Sequence, residues 1–312
     1  MVSQPPTDGS GADAGRNSGG PASGFEKGRL AVLGLGQLGG SVALAGRAAG
    51  LFNDIVGFGR RAESLARARA LGLCDRTTLS AAEAVDGAGT VVLAAPLRSI
   101  AEIVDAMAPA LALGSLVIDV GSVKGTAARD IGARLPPSVE FVACHPLAGT
   151  ERFGPEAATA DLFKGRRCIV CPTPSTSPAS IDRARTLWER MGAVVVTMPP
   201  ALHDRVMAAV SHLPHVAAYA LAAAVGRLPT DVQWGAEELV TTSLRDTTRI
   251  AASSPVMWRD IFLENREPLL PLIDQLAARL GEIRDAIADG DGSRIEALLE
   301  AARKSRAKIL PE

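Results

Sequence analysis

The chain has 312 residues, 47% of them hydrophobic and 21% charged, the composition of an ordinary folded protein and not of a disordered or fibrous one. Lysine plus arginine (33) nearly balances aspartate plus glutamate (34), so no net field exists to hold nucleic acid or an anionic membrane. Any anionic ligand must be met by local groups.

Residues 1–25 are rich in Gly, Ser, Pro and Asp and lack the apolar core of a signal peptide, so a disordered tail and a cytoplasmic protein are expected. No run reaches the roughly 18 uninterrupted apolar residues of a membrane helix. The longest, near 216–225, falls short, and no membrane association is expected.

Over residues 26–199, short β-branched runs alternate with Ala-rich helical stretches, the rhythm of a doubly wound parallel sheet covered by helices. Strands are expected over 30–33, 55–58, 90–94, 116–120, 141–144, 167–171 and 193–197. The first runs into GLGQLGGS, Gly34 to Ser41, and a helix follows. In that context Gly34 allows a tight turn, Gly36 lets the backbone approach a pyrophosphate, and Gly39 lets the helix pack on the strand. Gln37 and Leu38 open that helix, whose N-terminus favours a phosphate. The second strand ends Gly57, Phe58, Gly59, Arg60, Arg61. The acid that usually holds the ribose hydroxyls is absent, and two arginines stand where a 2′-phosphate would lie, which favours NADP over NAD. The other reading of Arg60 and Arg61 is a pair of solvated loop charges. Pro96, beyond the third strand, is assigned to the cofactor site as well.

Ser122, in DVGSVKG, lies beyond the fourth strand, where its hydroxyl reaches the same cleft or serves as a turn or N-cap serine. His145, in FVACHPLAGTE, follows the fifth strand, at the strand ends where ligands gather in such sheets. An imidazole there acts as a general base near neutral pH or as a structural histidine. The cysteines, Cys74, Cys144, Cys168 and Cys171, have no framework spacing and read as reduced, buried thiols. Cys168 and Cys171 form a CxxC, but on a strand residues three apart point to opposite faces.

After Pro199 and Pro200 the β-branched runs stop, and residues 200–312 read as an all-helical domain with helices near 201–226, 230–252, 256–282 and 292–308. These are more apolar than one amphipathic stripe requires, so a homodimer is expected. SHLPH puts His212 and His215 on one helical face, without the further ligands a metal would need. Arg245, Asp246 and Arg249 share one helical segment, and Trp258 follows shortly after.

In this order and spacing, GLGQLGGS, DVGSVKG, HPLAGTE, SHLPH and TRIAASSPVMWRDIFLEN resemble the prephenate and arogenate dehydrogenases of tyrosine biosynthesis, over about residues 29–310. The resemblance implies a Rossmann-type domain followed by a helical dimerisation domain like that of 6-phosphogluconate dehydrogenase. It implies oxidative decarboxylation of a small substrate: hydride leaves C4 of a cyclohexadienyl ring for NAD(P), CO₂ leaves C1, and the ring becomes aromatic. By similarity His145 accepts the 4-hydroxyl proton, Ser122 orients that hydroxyl and the nicotinamide, and Arg249 holds a substrate carboxylate. His215 resembles the side-chain-binding histidine, and His212 supports the helix or the site. Thr150, Trp258, Arg245 and Asp246 are placed around the substrate. Glu151 either pairs with the ammonium of arogenate or serves as an interface or capping carboxylate. The chain ends at Glu312 without the regulatory domain some members carry, so tyrosine feedback, if present, would have to act at the active site itself. A β-hydroxyacid dehydrogenase or imine reductase shares this architecture but places a lysine, aspartate or tyrosine where SHLPH stands. A silent NADP-sensing protein would lack the base and the clamp.

Overall fold

The computed structural model describes residues 28–150, 152–227, 229 and 239–310. The tail 1–25 and Glu151 lie outside them.

Eight strands form one sheet: β1 Gly28–Leu33, β2 Phe52–Phe58, β3 Arg76–Thr78, β4 Thr90–Leu93, β5 Leu116–Asp119, β6 Glu140–Pro146, β7 Arg167–Cys171 and β8 Val194–Thr197. Their spatial order is β3-β2-β1-β4-β5-β6-β7-β8, so the order reverses between β1 and β4. Six helices cover the sheet: α1 Gln37–Ala48, α2 Ala62–Ala70, α3 Ala81–Val85, α4 Leu97–Met107, α5 Gly125–Gly132 and α6 Pro178–Arg190. Leu30 and Val32 of β1 pack with α1 and with Trp188 of α6 on one face, and Ala31 and Leu33 pack with Val85 and Met107 on the other. Strands buried on both faces read as continuous apolar runs, which is why most were legible.

Two details depart from expectation. The strand β7 runs antiparallel to β6, because the connection between them has only a short 3-10 turn, Pro155–Ala157, and no crossover helix among the described residues. The edge strand β3, Arg76–Thr78, is too short and polar to show any periodicity.

The helical part comprises α7 Pro200–Met207, a π-helical turn Ala208–His212, α8 Leu213–Val225, α9 Thr242–Thr248 with a 3-10 turn Arg249–Ala252, α10 Pro255–Glu264, α11 Arg266–Ala288 and α12 Gly292–Ile309. The helix expected over 230–252 is seen over 242–252, and residues 230–238 lie outside the described ones. The single helix expected over 256–282 is two helices. Pro268 has no N–H to bond back to residue 264, so the chain breaks at Asn265 and restarts with the proline in the first turn of α11. Pro214 is accommodated without a break, by the π-helical turn that precedes it.

Among the described residues, one helical run, Pro200–Val225, is long and apolar enough to cross a membrane by length and composition, with a window of mean hydropathy 1.4. This corrects the reading of 216–225 as the longest candidate, which demanded an uninterrupted run. Only 22% of that window is buried within the chain, so most of its apolar surface is left to something else to cover.

Candidate active site

The turn between β1 and α1 has the features of a phosphate cradle. Gly34 sits at φ +110°, and a Cβ there would come within 2.5 Å of the Ala94 carbonyl oxygen. A Cβ on Gly39 would come within 1.9 Å of the Gly34 carbonyl oxygen, so the helix meets the turn only because that position is glycine. At Gly36 a Cβ would meet nothing within 4 Å. No side chain caps α1, and its first turn holds no acid. Its leading amides and that open space therefore fit a pyrophosphate.

Gln37 opens α1 at the glycine turn, and its side-chain amide is engaged by the loop that follows His145. Gln37 Nε2 donates to Thr150 Oγ1 at 2.8 Å, and the Thr150 N–H donates to Gln37 Oε1 at 3.1 Å. Thr150 thus ties the loop after His145 to the glycine turn. The Leu38 side chain packs on the core. Arg60 and Arg61 are exposed beyond β2, and Pro96 is exposed at the start of α4.

Adjacent strands β1, β4, β5 and β6 carry the turn, Pro96, Ser122 and His145 in a row at their C-terminal ends, spanning three strand spacings, roughly 14 Å. Ser122 is half-buried, and its hydroxyl makes no hydrogen bond among the described residues. The N-terminus of α5 is capped from a distance instead: Asp204 of α7 accepts from the Lys124 N–H at 2.8 Å and the Gly125 N–H at 2.7 Å.

His145 is half-buried at the end of β6, and its Nδ1 lies 2.8 Å from Nε2 of His203. His203 is fully buried, and its Nδ1 lies 2.8 Å from Oδ1 of Asp204. Burial, then the neighbouring His203, Lys124 and His212, hold the His145 imidazole well below its ordinary pKa, so it is uncharged at neutral pH. Burial pushes the Asp204 carboxyl up, but hydrogen bonds from His203 and the two α5 amides outweigh it and hold it low. Beneath the site Lys124, fully buried, pairs with Asp119 and donates to the Cys144 carbonyl at 2.7 Å.

The break at Asn265 has a use. Asn265 Nδ2 donates to the Asp204 carbonyl at 2.9 Å and to His212 Nδ1 at 2.9 Å, so the free tautomer of His212 carries its proton on Nε2. Burial lowers the His212 pKa to about 4. Trp258 of α10 stacks on His215 with centroids 3.5 Å apart and meets His212 edge-on at 5.9 Å. Burial lowers the His215 pKa, and the Arg249 charge adds to the shift. Arg249 starts the 3-10 turn after α9, while Arg245 and Asp246 are exposed on α9. A chain of contacts thus runs from His145 through His203, Asp204, Asn265, His212 and Trp258 to His215, which feels the Arg249 charge.

Sequence reasoning missed His203, Asp204, Lys124, Asp119 and Asn265. The one available signal was the scarcity of histidine, 4 in the chain, with one placed beside an aspartate just after a double proline. All four cysteines are buried and unbridged, with Cys168 and Cys171 in different core clusters on opposite faces.

A family model described as prephenate dehydrogenase, nucleotide-binding domain, matches residues 42–197, and one described as prephenate dehydrogenase, dimerization domain, matches residues 199–301. A cyclohexadienyl dehydrogenase of Zymomonas mobilis is 37% identical over 280 residues, covering 90% of this chain and 95% of the relative. A prephenate dehydrogenase of Bacillus subtilis is 30% identical over 281 residues, covering 90% and 76%. The crystal structure of prephenate dehydrogenase from Aquifex aeolicus with hydroxyphenyl propionate and NAD+ superposes with a TM-score of 0.83 at 33% identity, covering 92% of this chain and all (100%) of that one.

Proposed function

This chain belongs to the prephenate dehydrogenase family and is an NAD(P)-dependent prephenate/arogenate dehydrogenase; we propose that it works as a cytoplasmic homodimer with His145 as base, Arg249 as carboxylate clamp and NADP as favoured cofactor. Family membership sets aside the β-hydroxyacid dehydrogenase, imine reductase and silent-sensor readings. The observation that carries the site assignment is the half-buried His145 imidazole at the end of β6, hydrogen-bonded to His203 and in line with the glycine turn.

The amides at the start of α1 would hold the pyrophosphate of a dinucleotide, which would supply the acceptor for the hydride leaving C4 of the ring. Ser122, unencumbered between turn and base, orients the 4-hydroxyl. His145 takes that hydroxyl's proton, which its uncharged state permits at neutral pH. Loss of CO₂ from C1 makes the ring aromatic and supplies the driving force, so the protein mainly positions and polarises. Arg249 grips a substrate carboxylate through its rigid fork, with His215, stacked on Trp258, beside the side chain. Exposed apolar residues such as Leu221, Val256, Leu270 and Leu280 support burial of the helical part against a second copy.

Two measurements test this reading. Steady-state assays with prephenate and arogenate, each with NAD+ and NADP+, are expected to show reduction of the nicotinamide, with NADP+ preferred. The double variant Arg60→Ala/Arg61→Ala then raises the KM for NADP+ about 10-fold, the scale of a lost charge-assisted hydrogen bond, and leaves that for NAD+ in place. No turnover with either substrate overturns the function, and equal effects on the two cofactors overturn the 2′-phosphate contact. In Arg249→Ala the KM for the ring substrate rises roughly 10- to 100-fold with kcat nearly unchanged, because a clamp binds ground and transition states alike. A loss confined to kcat contradicts a clamp.

A further inference from the structure

We propose that His203 and Asp204 are positioning residues that fix the tautomer of His145, so that its Nε2 lone pair, and not an N–H, faces the substrate hydroxyl. The inference rests on the reading of His145 as the base and specifies which of its nitrogens acts and what holds it there.

The Asp204 carboxylate only accepts, and it already takes two amide protons at the start of α5. His203 Nδ1, 2.8 Å away, must therefore donate to it. A neutral His203 protonated on Nδ1 has a lone pair on Nε2, and that lone pair lies 2.8 Å from His145 Nδ1. His145 Nδ1 then carries the proton and donates, which leaves Nε2 of His145 as the bare acceptor. The opposite arrangement needs a doubly protonated His203. That would bury a second cation in a site that already holds the Lys124 ammonium. The groups facing His145 are His203 from α7, His212 from the π-helical turn and Lys124 before α5, with Asp119 paired to Lys124 and Asp204 to His203.

In the reaction the hydroxyl O–H bond breaks and an N–H bond forms at Nε2, while the Nδ1 proton stays shared with His203. The new positive charge faces the Asp204 carboxylate across one imidazole. Asp204 belongs to the helical part and caps α5 of the sheet part, and Asn265 holds its backbone carbonyl. The base is therefore oriented only when the two parts are docked. An Asp204 variant would lose that cap as well, so His203 is the residue to change.

Nitrogen-15 NMR of the histidine side chains in the full-length protein without substrate, at pH 7.5, reads the tautomer directly, with His145→Asn providing the assignment. The expected result is His145 protonated on Nδ1 and bare on Nε2; an Nε2–H signal overturns the proposal. In kinetics with prephenate, His203→Leu is expected to lower kcat about 10- to 100-fold with KM changed less than about threefold, the scale of a misoriented base. His203→Gln, whose carbonyl can accept from His145 Nδ1, recovers part of that loss. Wild-type kcat in His203→Leu overturns the relay and leaves the enzyme's function standing. Failure of the wild-type protein to consume prephenate overturns the function, and the NMR result still decides the tautomer. If the leucine variant does not fold, the glutamine variant and the NMR carry the decision.

Discussion

His145→Asn is expected to lower kcat by roughly two to four orders of magnitude, the scale of a lost general base, while the affinity for the dinucleotide stays at the wild-type value. Asparagine keeps a polar group near His203 but cannot take a proton at neutral pH, so the substrate hydroxyl must surrender its proton to water. Cofactor affinity is spared because the glycine turn lies at β1, with β4 and β5 between it and the base. The pH profile gives an independent check. Burial, His203, Lys124 and His212 keep the imidazole well below its ordinary pKa. In the wild-type enzyme the acid limb of kcat/KM therefore lies below pH 6.5, and it is absent from the variant. Turnover at the wild-type rate, or an unchanged acid limb, would remove His145 from the chemistry. Titration of dinucleotide binding by fluorescence separates a chemical loss from a binding loss.

The largest expected effect on stability belongs to a residue remote from solvent. Lys124→Met removes one partner of a fully buried ion pair and leaves the Asp119 charge supported, among the described residues, only by the Gly121 and Cys144 amides, at 3.1 and 3.2 Å. Breaking such a pair costs about 3–5 kcal/mol, a large share of the roughly 5–15 kcal/mol that holds a folded protein together. Urea unfolding is expected to show a lower midpoint at an unchanged slope. In Lys124→Met/Asp119→Asn the stranded charge is gone and an acceptor remains, so most of the loss is recovered. A single variant within about 1 kcal/mol of wild type would mean that the pair is not the structural tie it looks to be. The same lysine donates to the carbonyl of the residue before His145, so kcat falls along with stability.

The parts of this fold that were legible in the sequence are those set by local rules. Gly34 and Gly39 are glycine because the turn leaves no room for a Cβ, whatever the rest of the chain does. The strands announce themselves because burial on both faces makes them apolar throughout, and the helical half because its β-branched runs stop at Pro199. The edge strand at Arg76–Thr78 and the break at Asn265 escaped because each is short, and the break is set by a proline three residues further on. Gln37 illustrates the limit at the site itself: its place in the glycine motif is legible, but the bond of its side-chain amide to Thr150, 113 residues away, is not.

What the sequence determined by itself is the glycine turn, the order of the two parts and the candidate base, since each is written in a contiguous motif. What only the tertiary structure decided is how that base is held. The bonds from His145 to His203, from the start of α5 to Asp204, and from Asn265 to Asp204 cross 58, 80 and 61 residues. A side chain's hydrogen-bond partners at that separation leave no periodicity in the chain, because they depend on where two independently patterned halves meet in space.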